Sequence, residues 1–367
     1  MTVNERHFLG FIRYALLGGD YPHGILTRAG WQEQQKMAKN QTVTGLLYTA
    51  VSQLPPDLRP PQEMMMKLYS KVVYLENMNR MLNERTCQIF KIYKEMGYHP
   101  ILLKGQAIAT LYNHPLHRSC GDCDIFFPLP PQGKKADEWA KGNGQNVTST
   151  EKHVLQYLWN DMKVEHHHRM MKLTNIMLNK SLQSIVNSEI RCCDSTYVNI
   201  DGVKVETLPP TLNLLYALVR IAKYILNDGV SLKQVIELGV ILRKIGDKVD
   251  FVKLQQWIDK LHLGEMAHLE GALLTGLFNF STDEIPFMKP GKSENITRIT
   301  HEIFNMKGNH TYDWYFTQGK NVFVSTSNKG ALMWHINNSR HFFRYYPSET
   351  VTNFFTSFAH SLSHIEE

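Results

Sequence analysis

Apolar positions along the chain follow a helical spacing at both ends and a different pattern in the middle. The clearest helical repeat spans residues 62–96, where apolar side chains recur three, four and seven residues apart. Two prolines precede this segment and Gly97 follows it, an arrangement typical of the start and end of a helix. We therefore predict a helical N-terminal region, residues 1–97, that ends in one long helix.

Short apolar runs between turn residues indicate strands in the middle of the chain. The predicted elements are strands at residues 98–103, 124–127 and 161–173 and a short helix at 106–112. Residues 196–207 place an Asp-Gly pair between two alternating runs, which is typical of a β-hairpin. The polar segment 132–145 contains three glycines and is predicted to be a loop beside a short helix at 136–141. Together these segments define a strand-containing core, residues 98–209.

The helical spacing returns at residue 210 and defines a C-terminal region, residues 210–367. Apolar stripes at 212–222 and 232–241 predict two helices, of which the second is apolar on nearly every side and should be buried. The tail, residues 339–365, is rich in Phe, Tyr and His and is predicted to pack back on the rest of the chain. The whole pattern predicts an α+β fold in which a mixed sheet is flanked by N- and C-terminal helical regions.

The composition is that of an ordered globular protein. Of the 367 residues, 43% are hydrophobic and 20% are charged, which excludes disorder as the main state. No run of about 18 apolar residues is free of charge, so no membrane span is predicted. Arg13 interrupts the N-terminal apolar stretch, which is predicted to be a folded helix rather than a signal peptide. Five cysteines, an odd and small number, favour a reducing compartment, and we expect a cytoplasmic protein.

The charge is mildly positive and is spread along the sequence. Lys and Arg number 40 against 34 for Asp and Glu, which gives a net charge of +6. Domains that grip a nucleic-acid backbone usually gather their positive charge into a basic run. The excess found here leaves a nucleic-acid adaptor as an alternative without favouring it.

Asp122 and Asp124 form the sharpest chemical motif, Asp-x-Asp, at the start of a predicted strand. Side chains two apart on a strand share a face, so both carboxylates should point to one side while Cys123 and Ile125 face the core. Two neighbouring carboxylates repel each other and need a cation, which makes them natural ligands of Mg²⁺. The alternative is a solvated strand end that carries two acidic residues.

Two further elements indicate a phosphate site and a third carboxylate. Lys104 and Gly105 lie where a predicted strand turns into a helix; there a glycine lets backbone amides approach a phosphate, and the lysine reaches the same anion. On the third predicted strand, Glu165 shares a face with Lys163 and His167 and could complete a set of three carboxylates. A plain turn and solvated side chains are the alternatives. Combined, the motifs describe a site for a metal-bound nucleoside triphosphate.

Clusters of histidine and cysteine raise the possibility of zinc or redox chemistry. His166, His167 and His168 are consecutive, but neighbouring strand residues point in opposite directions, so the three cannot all reach one ion. Cys120 and Cys123 form a Cys-x-x-Cys, yet a strand rather than a helix follows it and no second pair completes a zinc site. Zinc and redox functions stay open as the weaker alternatives.

At these residues the sequence resembles the uncharacterised bacterial nucleotidyltransferase family, a branch of the polymerase-beta-like nucleotidyltransferase superfamily. The family pattern is an apolar strand, Lys-Gly, a short helix, Tyr and Pro, then Arg and Gly-Asp-x-Asp. It is matched by residues 101–105, Tyr112, Pro115, Arg118 and residues 121–124. A later acidic residue with a His two positions on is matched by Glu165 and His167. Segments further along that resemble the family are residues 214–223, 228–234 and 344–349.

The resemblance implies a nucleotidyltransferase-like sheet and a metal-dependent enzyme that binds ATP or another nucleoside triphosphate. A nucleotidyl group would pass to an unidentified acceptor, a protein, small molecule or nucleic acid, with release of pyrophosphate. The residues implied to act in catalysis and to hold Mg²⁺ or Mn²⁺ are Asp122, Asp124 and Glu165. The residues implied to bind the nucleotide phosphates are Lys104, Gly105 and Arg118. The alternative on the same fold is a catalytically silent scaffold that binds nucleotides or a partner.

Overall fold

The structure is a computed structural model that describes residues 1–22, 24–150, 154–305, 316–318, 324–326 and 329–363. Its residues fall into two compact units. The first comprises residues 1–170, 186–213 and 239–249, and the second comprises 171–185, 214–238 and 250–367. The division of the chain into three regions, with limits at residues 97 and 209, stays a prediction.

Four helices form the N-terminal part of the chain, as the apolar spacing predicts. They are α1 (Val3–Leu17), α2 (Arg28–Asn40), α3 (Thr44–Ser52) and α4 (Gln62–Glu95). The Thr2 hydroxyl accepts a hydrogen bond from the Glu5 backbone amide, and the Glu5 carboxylate accepts one from the Thr2 amide, so the two residues cap α1. The predicted long helix is α4, and Gly97, with φ +76°, follows its end.

A seven-stranded mixed sheet forms the middle of the chain and confirms the predicted α+β fold. Its strands are β1 (Ile101–Leu102), β2 (Asp122–Phe126), β3 (Gln145–Thr150), β4 (Val154–Trp159), β5 (Met162–His167), β6 (Thr196–Ile200) and β7 (Val203–Thr207). They lie in the order β3-β4-β5-β2-β1-β7-β6. Strand β2 is parallel to β5 and β1 is parallel to β7, while the other neighbours are antiparallel. The predicted Asp-Gly turn joins β6 to β7.

The structure corrects the limits of several predicted elements. The first strand covers two residues rather than 98–103, and it starts after Pro100, which has no amide hydrogen to donate to a neighbouring strand. The second predicted strand, residues 124–127, is β2, which starts at Asp122 and ends at Phe126. The helix that follows, α5 (Gln106–Ala109), ends at Ala109 rather than at residue 112. Strand β5 ends at His167 rather than at residue 173.

The predicted short helix at 136–141 is part of a longer helix, α6 (Pro130–Asn143), which has 14 residues and covers most of the predicted loop, residues 132–145. Two prolines occupy its first turn, where a missing amide hydrogen costs no hydrogen bond. The antiparallel pair of β3 and β4 lies where the sequence pattern predicts no strand. Strand β3 is the outermost strand of the sheet, and a polar edge strand lacks the apolar alternation on which the prediction relies.

Helices α4 and α6 pack on one face of the sheet and leave the acidic residues on the other. The buried cluster on the helix side includes Leu82, Ile89, Phe90, Tyr93, Cys123, Ile125, Ala136, Ala140 and Val164. Burial of these apolar side chains fixes which face of β2 and β5 points inward, because a slip of one residue would exchange the two faces. Asp122, Asp124 and Glu165 consequently lie on the opposite face.

The remaining elements are mostly helical. They are α7 (Ile176–Cys192), α8 (Pro210–Asn227), α9 (Leu232–Ile245), α10 (Phe251–Lys260), α11 (Gly264–Phe278), α12 (Thr297–Asn305), β8 (Phe316–Gln318), β9 (Val324–Thr326), α13 (Lys329–Phe342) and α14 (Pro347–Ser363). Helices α8 and α9 confirm the two predicted apolar stripes, whereas α7 was not predicted. Within the described ranges, the helices are all too short or too polar to cross a lipid bilayer.

The aromatic tail packs within the second compact unit, as predicted. The hydroxyl group of Tyr346 donates to the carbonyl oxygen of Leu261 at 3.0 Å. The buried aromatic residues of the tail include Phe342, Tyr345 and Tyr346. Residues 364–365 of the predicted tail lie outside the described residues.

Glu270 is a fully buried carboxyl group in the middle of α11. Neither of its carboxyl oxygens has a hydrogen-bond partner in the part of the chain that the structure describes. Burial raises the pKa of Glu270 well above its usual value. The pKa of nearby Tyr346 is raised first by burial and then by Glu349 and Glu270, which identifies these residues as neighbours. Glu270 therefore keeps its proton to a higher pH in the folded chain than in the unfolded chain.

Replacing Glu270 by Gln should stabilise the protein increasingly as the pH rises above 4.5, the ordinary pKa of a glutamate. Above that pH the unfolded chain releases the proton while the folded chain retains it. The free energy of unfolding of the wild type should then fall by about 1.4 kcal/mol per pH unit until the folded pKa is reached. The gain in Tm of E270Q over wild type, measured by thermal unfolding, should be small near pH 4 and should grow toward neutral pH.

Glu265, on the same helix, supplies a control of opposite sign. Hydrogen bonds from Lys289 and Lys292 lower its pKa to about 2. Because the folded pKa is depressed, these contacts stabilise the fold above the unfolded pKa and are lost as the pH falls through the folded pKa. E265Q should therefore lower the Tm at neutral pH and approach wild type near pH 2. If the Tm of wild type and the Tm of E270Q instead change with pH by the same amount, the Glu270 proton is not linked to folding.

Candidate active site

Parallel pairing of β2 with β5 places the predicted acidic residues side by side. Asp124 is directly opposite Glu165, and Asp122 is directly opposite Lys163. The predicted alternation is confirmed, because Glu165 and His167 lie on the face of the sheet that carries Asp124. The structure therefore brings the three predicted carboxylates to one face of two adjacent strands.

Asp124 is the buried centre of this face. Its side chain is 0% exposed; Oδ1 lies 2.8 Å from Nε2 of His167 and Oδ2 lies 3.1 Å from Nζ of Lys104. Burial by itself would raise the pKa of this carboxyl group. The hydrogen bond to His167 and the charge of Lys104 outweigh burial and lower the pKa of Asp124 to about 2. Asp124 is therefore ionised at neutral pH, as a metal ligand must be.

Glu165 is held in place by two side chains from the same face of the sheet. Its Oε1 accepts hydrogen bonds from Nζ of Lys163 at 2.7 Å and from Nε2 of Gln156, on β4, at 2.9 Å. Its Oε2 lies 3.6 Å from Nε2 of His167. The first two contacts fix one carboxylate oxygen and leave the other on the side of His167 and Asp124.

Asp124, Glu165 and His167 form a group that could hold a metal ion. One ligand atom from each of the three lies within 4.8 Å of the others. Carboxylate oxygens are the ligands preferred by Mg²⁺ and Mn²⁺, and an imidazole nitrogen also suits a transition metal such as Mn²⁺. Two ionisable carboxylates and one imidazole on rigid strands therefore fit a divalent cation of this class.

Asp122 lies beside this group but is more exposed than Asp124. Its Oδ2 is 3.5 Å from Nζ of Lys104, and 30% of its side chain is exposed. Lys104 thus contacts both aspartates. The three clustered ligand atoms do not include an oxygen of Asp122. The role of Asp122 as a metal ligand stays a prediction.

The turn after β1 brings Lys104 to the two aspartates. Gly105 has φ +62° and ψ −119°, a conformation that side chains rarely adopt, and a Cβ there would lie 3.1 Å from the carbonyl oxygen of Asp122. The Leu103 amide donates to the carbonyl oxygen of Asp124 at 3.1 Å and ties the turn to β2. Because α5 has only four residues, the positive charge beside the turn comes mainly from Lys104 rather than from the helix dipole.

Arg118, the third residue predicted to bind phosphate, is buried. It is 5% exposed, and its Nη1 donates to Sγ of Cys120 at 3.0 Å. Its carbonyl oxygen accepts a hydrogen bond from Nδ2 of Asn79 at 2.8 Å. These contacts hold Arg118 next to the start of β2, and its role in phosphate binding stays a prediction.

His166 and His168 point away from the acidic face, as the alternation predicts. Their ring nitrogens contact the two carboxylate oxygens of Asp137 at 2.9 and 2.7 Å. Nε2 of His166 also lies 2.9 and 2.8 Å from the hydroxyl groups of Tyr93 and Tyr157. The three consecutive histidines do not converge on one position, which argues against a zinc site built from them.

The burial of Cys123 argues against a redox role for the Cys-x-x-Cys pair. Cys123 is fully buried on the core side of β2, and burial raises the pKa of its thiol. A buried thiol with a raised pKa is a poor nucleophile, so this geometry favours a structural role for Cys123.

His167 and Gln156 are the members of this site whose roles were not predicted. The family resemblance matched His167 to a position in the pattern, but only carboxylates were expected to bind metal. The alternation that placed His167 on the face of Glu165 is the signal that identifies it. Gln156 lies on β4, a strand that the sequence pattern missed, so no sequence signal placed it near Glu165.

Comparison with known proteins links the chain to one family. Residues 27–279 match a family model described as "Uncharacterised nucleotidyltransferase". The chain is also similar to the crystal structure of an antigenic nucleotidyltransferase-like protein from Paracoccidioides brasiliensis. The match has 12% identity and a TM-score of 0.35, and covers 54% of this chain and 92% of that chain. A TM-score this low does not establish a common fold. No curated protein matches the chain.

Binding of Mn²⁺ should depend on the residues of the acidic face. We expect purified protein to bind Mn²⁺, followed through the electron paramagnetic resonance signal of the free ion. Glu165→Gln and His167→Ala should each weaken binding by roughly tenfold or more, because each removes one ligand atom or its charge.

His168→Ala is the matched control for this experiment. It removes an imidazole from the same strand, but from the face that contacts Asp137. Mn²⁺ affinity should stay close to wild type in this variant. Equal losses in His167→Ala and His168→Ala, or bound zinc that disappears with His166 and His168, would contradict the assignment.

Proposed function

Because this chain belongs to the family of uncharacterised nucleotidyltransferases, we propose that it moves a nucleotidyl group from a nucleoside triphosphate to an acceptor. The observation that carries the proposal is the grouping of Asp124, Glu165 and His167 around one candidate metal position with Lys104 beside it. Transfer of a nucleotidyl group needs fixed positive charge where negative charge develops. A divalent cation held by carboxylates would provide that charge.

In the proposed reaction an oxygen of the acceptor attacks the α-phosphorus of the triphosphate. The new oxygen–phosphorus bond forms while the bond to the bridging oxygen breaks, and pyrophosphate leaves with that electron pair. The proton of the acceptor hydroxyl passes to a base. We propose Glu165 as this base. The alternative role for Glu165 is that of a further metal ligand.

The proposed roles of the other residues follow from their positions. Asp122 and Asp124 would hold Mg²⁺ or Mn²⁺, which when bound neutralises phosphate charge and orients the reacting groups. Lys104 contacts both aspartates and sits next to Gly105, so its flexible side chain can turn from the carboxylates to a triphosphate. Arg118 is proposed as an additional contact to phosphate.

The acceptor is proposed only by its chemistry. A hydroxyl or similar nucleophile on a protein, a small molecule or a nucleic acid fits the reaction equally well. We propose that the reaction takes place in the reducing cytoplasm, because five cysteines are too few for a disulfide framework in a chain of this length. A catalytically silent scaffold is the second candidate, and the presence of all three predicted carboxylates on one face argues against it.

Asp124→Asn and Asp122→Asn should each abolish transfer while the protein stays folded. Loss of a metal ligand removes several kcal/mol of transition-state stabilisation, which corresponds to roughly a thousandfold drop in rate or more. Transfer is measured by incubating the protein with each labelled nucleoside triphosphate and cell extract and following label on protein, nucleic acid and small molecules.

Asp161→Asn is the control for these two variants. Asp161 lies in the turn between β4 and β5, its side chain is 94% exposed, and its φ of +60° is one that Asn tolerates. It undergoes the same chemical change and should keep full activity. Nucleotide binding without labelled product in any fraction would support the silent scaffold, and near-normal turnover of Asp124→Asn would refute the assigned site.

Lys104→Ala should weaken binding of the Mg²⁺–triphosphate complex. Loss of a charge-assisted hydrogen bond costs about 1.5 to 3 kcal/mol, or roughly a 10- to 150-fold rise in Kd. Isothermal titration calorimetry measures this directly. Lys91→Ala, an exposed lysine on α4 with a side chain 76% exposed, is the matched control and should leave Kd unchanged. Equal affinities for wild type and Lys104→Ala would remove Lys104 from the phosphate site.

A further inference from the structure

A small cavity of about 140 Å³ lies beside the turn that carries Lys104 and Gly105. Residues in its wall include Asn79 and Asn83 from α4, Gln106 from α5, Cys120, and Asn199 and Asp201 from the β6–β7 hairpin. None of the residues of the acidic face lines it. The cavity is therefore separate from the candidate metal position.

Gln106 is a buried amide in the wall of this cavity. It is 1% exposed, and neither Nε2 nor Oε1 has a hydrogen-bond partner in the described ranges. Asn79 donates from Nδ2 to the carbonyl oxygens of Leu116 and Arg118, at 2.6 and 2.8 Å, but its buried Oδ1 has no partner in those ranges. Buried polar groups without partners are unfavourable and uncommon, so one donor and two acceptors here indicate a ligand.

The chemistry of the lining selects the kind of group that fits. The lining residues include no Lys, Arg or His, and the one carboxylate, Asp201, accepts a hydrogen bond from Asn83 at 3.1 Å. The cavity therefore suits a neutral group rather than a phosphate. Its volume is close to that of an engineered cavity that holds benzene, which is about 150 Å³. A Gln amide offers a donor and an acceptor side by side, the pattern that matches the edge of a nucleobase.

The cavity and the proposed phosphate site are built partly from the same two short segments of the chain. Gln106 is the next residue after Gly105, and Cys120 is two residues before Asp122. Consecutive Cα atoms are about 3.8 Å apart, so the backbone that lines the cavity continues directly into the backbone of the proposed phosphate site. This continuity is consistent with a group in the cavity and a triphosphate at the turn that belong to one molecule.

We propose that this cavity holds the base of the nucleotide substrate and that the Gln106 amide hydrogen bonds to the edge of that base. The inference rests on the proposed nucleotidyl transfer, since it assumes that the triphosphate binds at the neighbouring turn. It assigns Gln106 as a residue that recognises the nucleoside part, whereas Lys104 recognises phosphate.

Calorimetry with two kinds of probe tests the proposal. Wild type, Gln106→Leu and Gln88→Leu are titrated, with Mg²⁺ present, with each of the four nucleoside triphosphates and with inorganic tripolyphosphate, which has no base. Gln88 is an exposed glutamine on α4 and serves as the matched control. Wild type should bind at least one nucleoside triphosphate more tightly than tripolyphosphate. Gln106→Leu should lose roughly tenfold or more of that nucleotide affinity and keep its affinity for tripolyphosphate, while Gln88→Leu changes neither.

Thermal unfolding of the ligand-free variants adds a second readout. Replacing an unpartnered buried amide by an apolar group of similar size should raise the Tm, because the amide is no longer buried without hydrogen bonds. A glutamine that only supports the fold through ordered waters would instead lower the Tm when replaced. Gln106→Met repeats the comparison with an unbranched side chain in case Gln106→Leu does not fold.

The outcomes separate the two proposals. If wild type binds both probes and neither replacement of Gln106 changes the nucleotide affinity, the base-binding cavity is wrong and the nucleotidyl transfer proposal stands. A lowered Tm with unchanged affinity leads to the same conclusion. If wild type binds neither the nucleotides nor tripolyphosphate, the proposed function itself fails, and the cavity proposal fails with it.

Discussion

The burial of an ionised Asp124 beside Glu165 is the constraint on which the site depends. Two carboxylates on adjacent parallel strands repel each other, and burial of one of them makes its charge still less favourable. The structure compensates with Lys104 at Asp124 and with Lys163 at Glu165, and the ring of His167 contacts both carboxylates. Ionisable groups gathered in this way on one face of a sheet are typical of a functional site.

These contacts come from segments that the fold must bring together. Lys104 belongs to the turn after β1, and His167 belongs to β5, on the other side of β2. The turn reaches Asp122 and Asp124 only because Gly105 adopts a positive φ and leaves no Cβ against the Asp122 carbonyl group. The charge balance of the site and the order of the central strands are therefore one structural feature.

The sequence predicted the parts of this arrangement that depend on near neighbours. The alternation of side chains in β2 and β5, the glycine turn, the hairpin of β6 and β7 and the long helix α4 all follow from local patterns. The contact between Asp124 and His167 joins residues 43 positions apart, and its register is set by packing of the whole sheet. The contact of Gln156 with Glu165 could not be predicted for a further reason, because the sequence pattern does not predict β4.

The position of the acidic face depends on a buried polar network on the opposite face of β5. His166 lies between Glu165 and His167 in sequence, so its side chain points to the opposite face. There it contacts Tyr93 on α4 and Tyr157 on β4.

Burial lowers the pKa of His166 more than Asp137 raises it, which favours a neutral ring that can both donate and accept hydrogen bonds in this network. Buried networks of this kind define one arrangement of the chain, because any shift leaves several polar groups without partners. Asp124 and Glu165 on the acidic face repel each other, so their own interaction does not favour adjacent positions. They lie side by side because the aromatic and imidazole contacts behind them hold β5 in register.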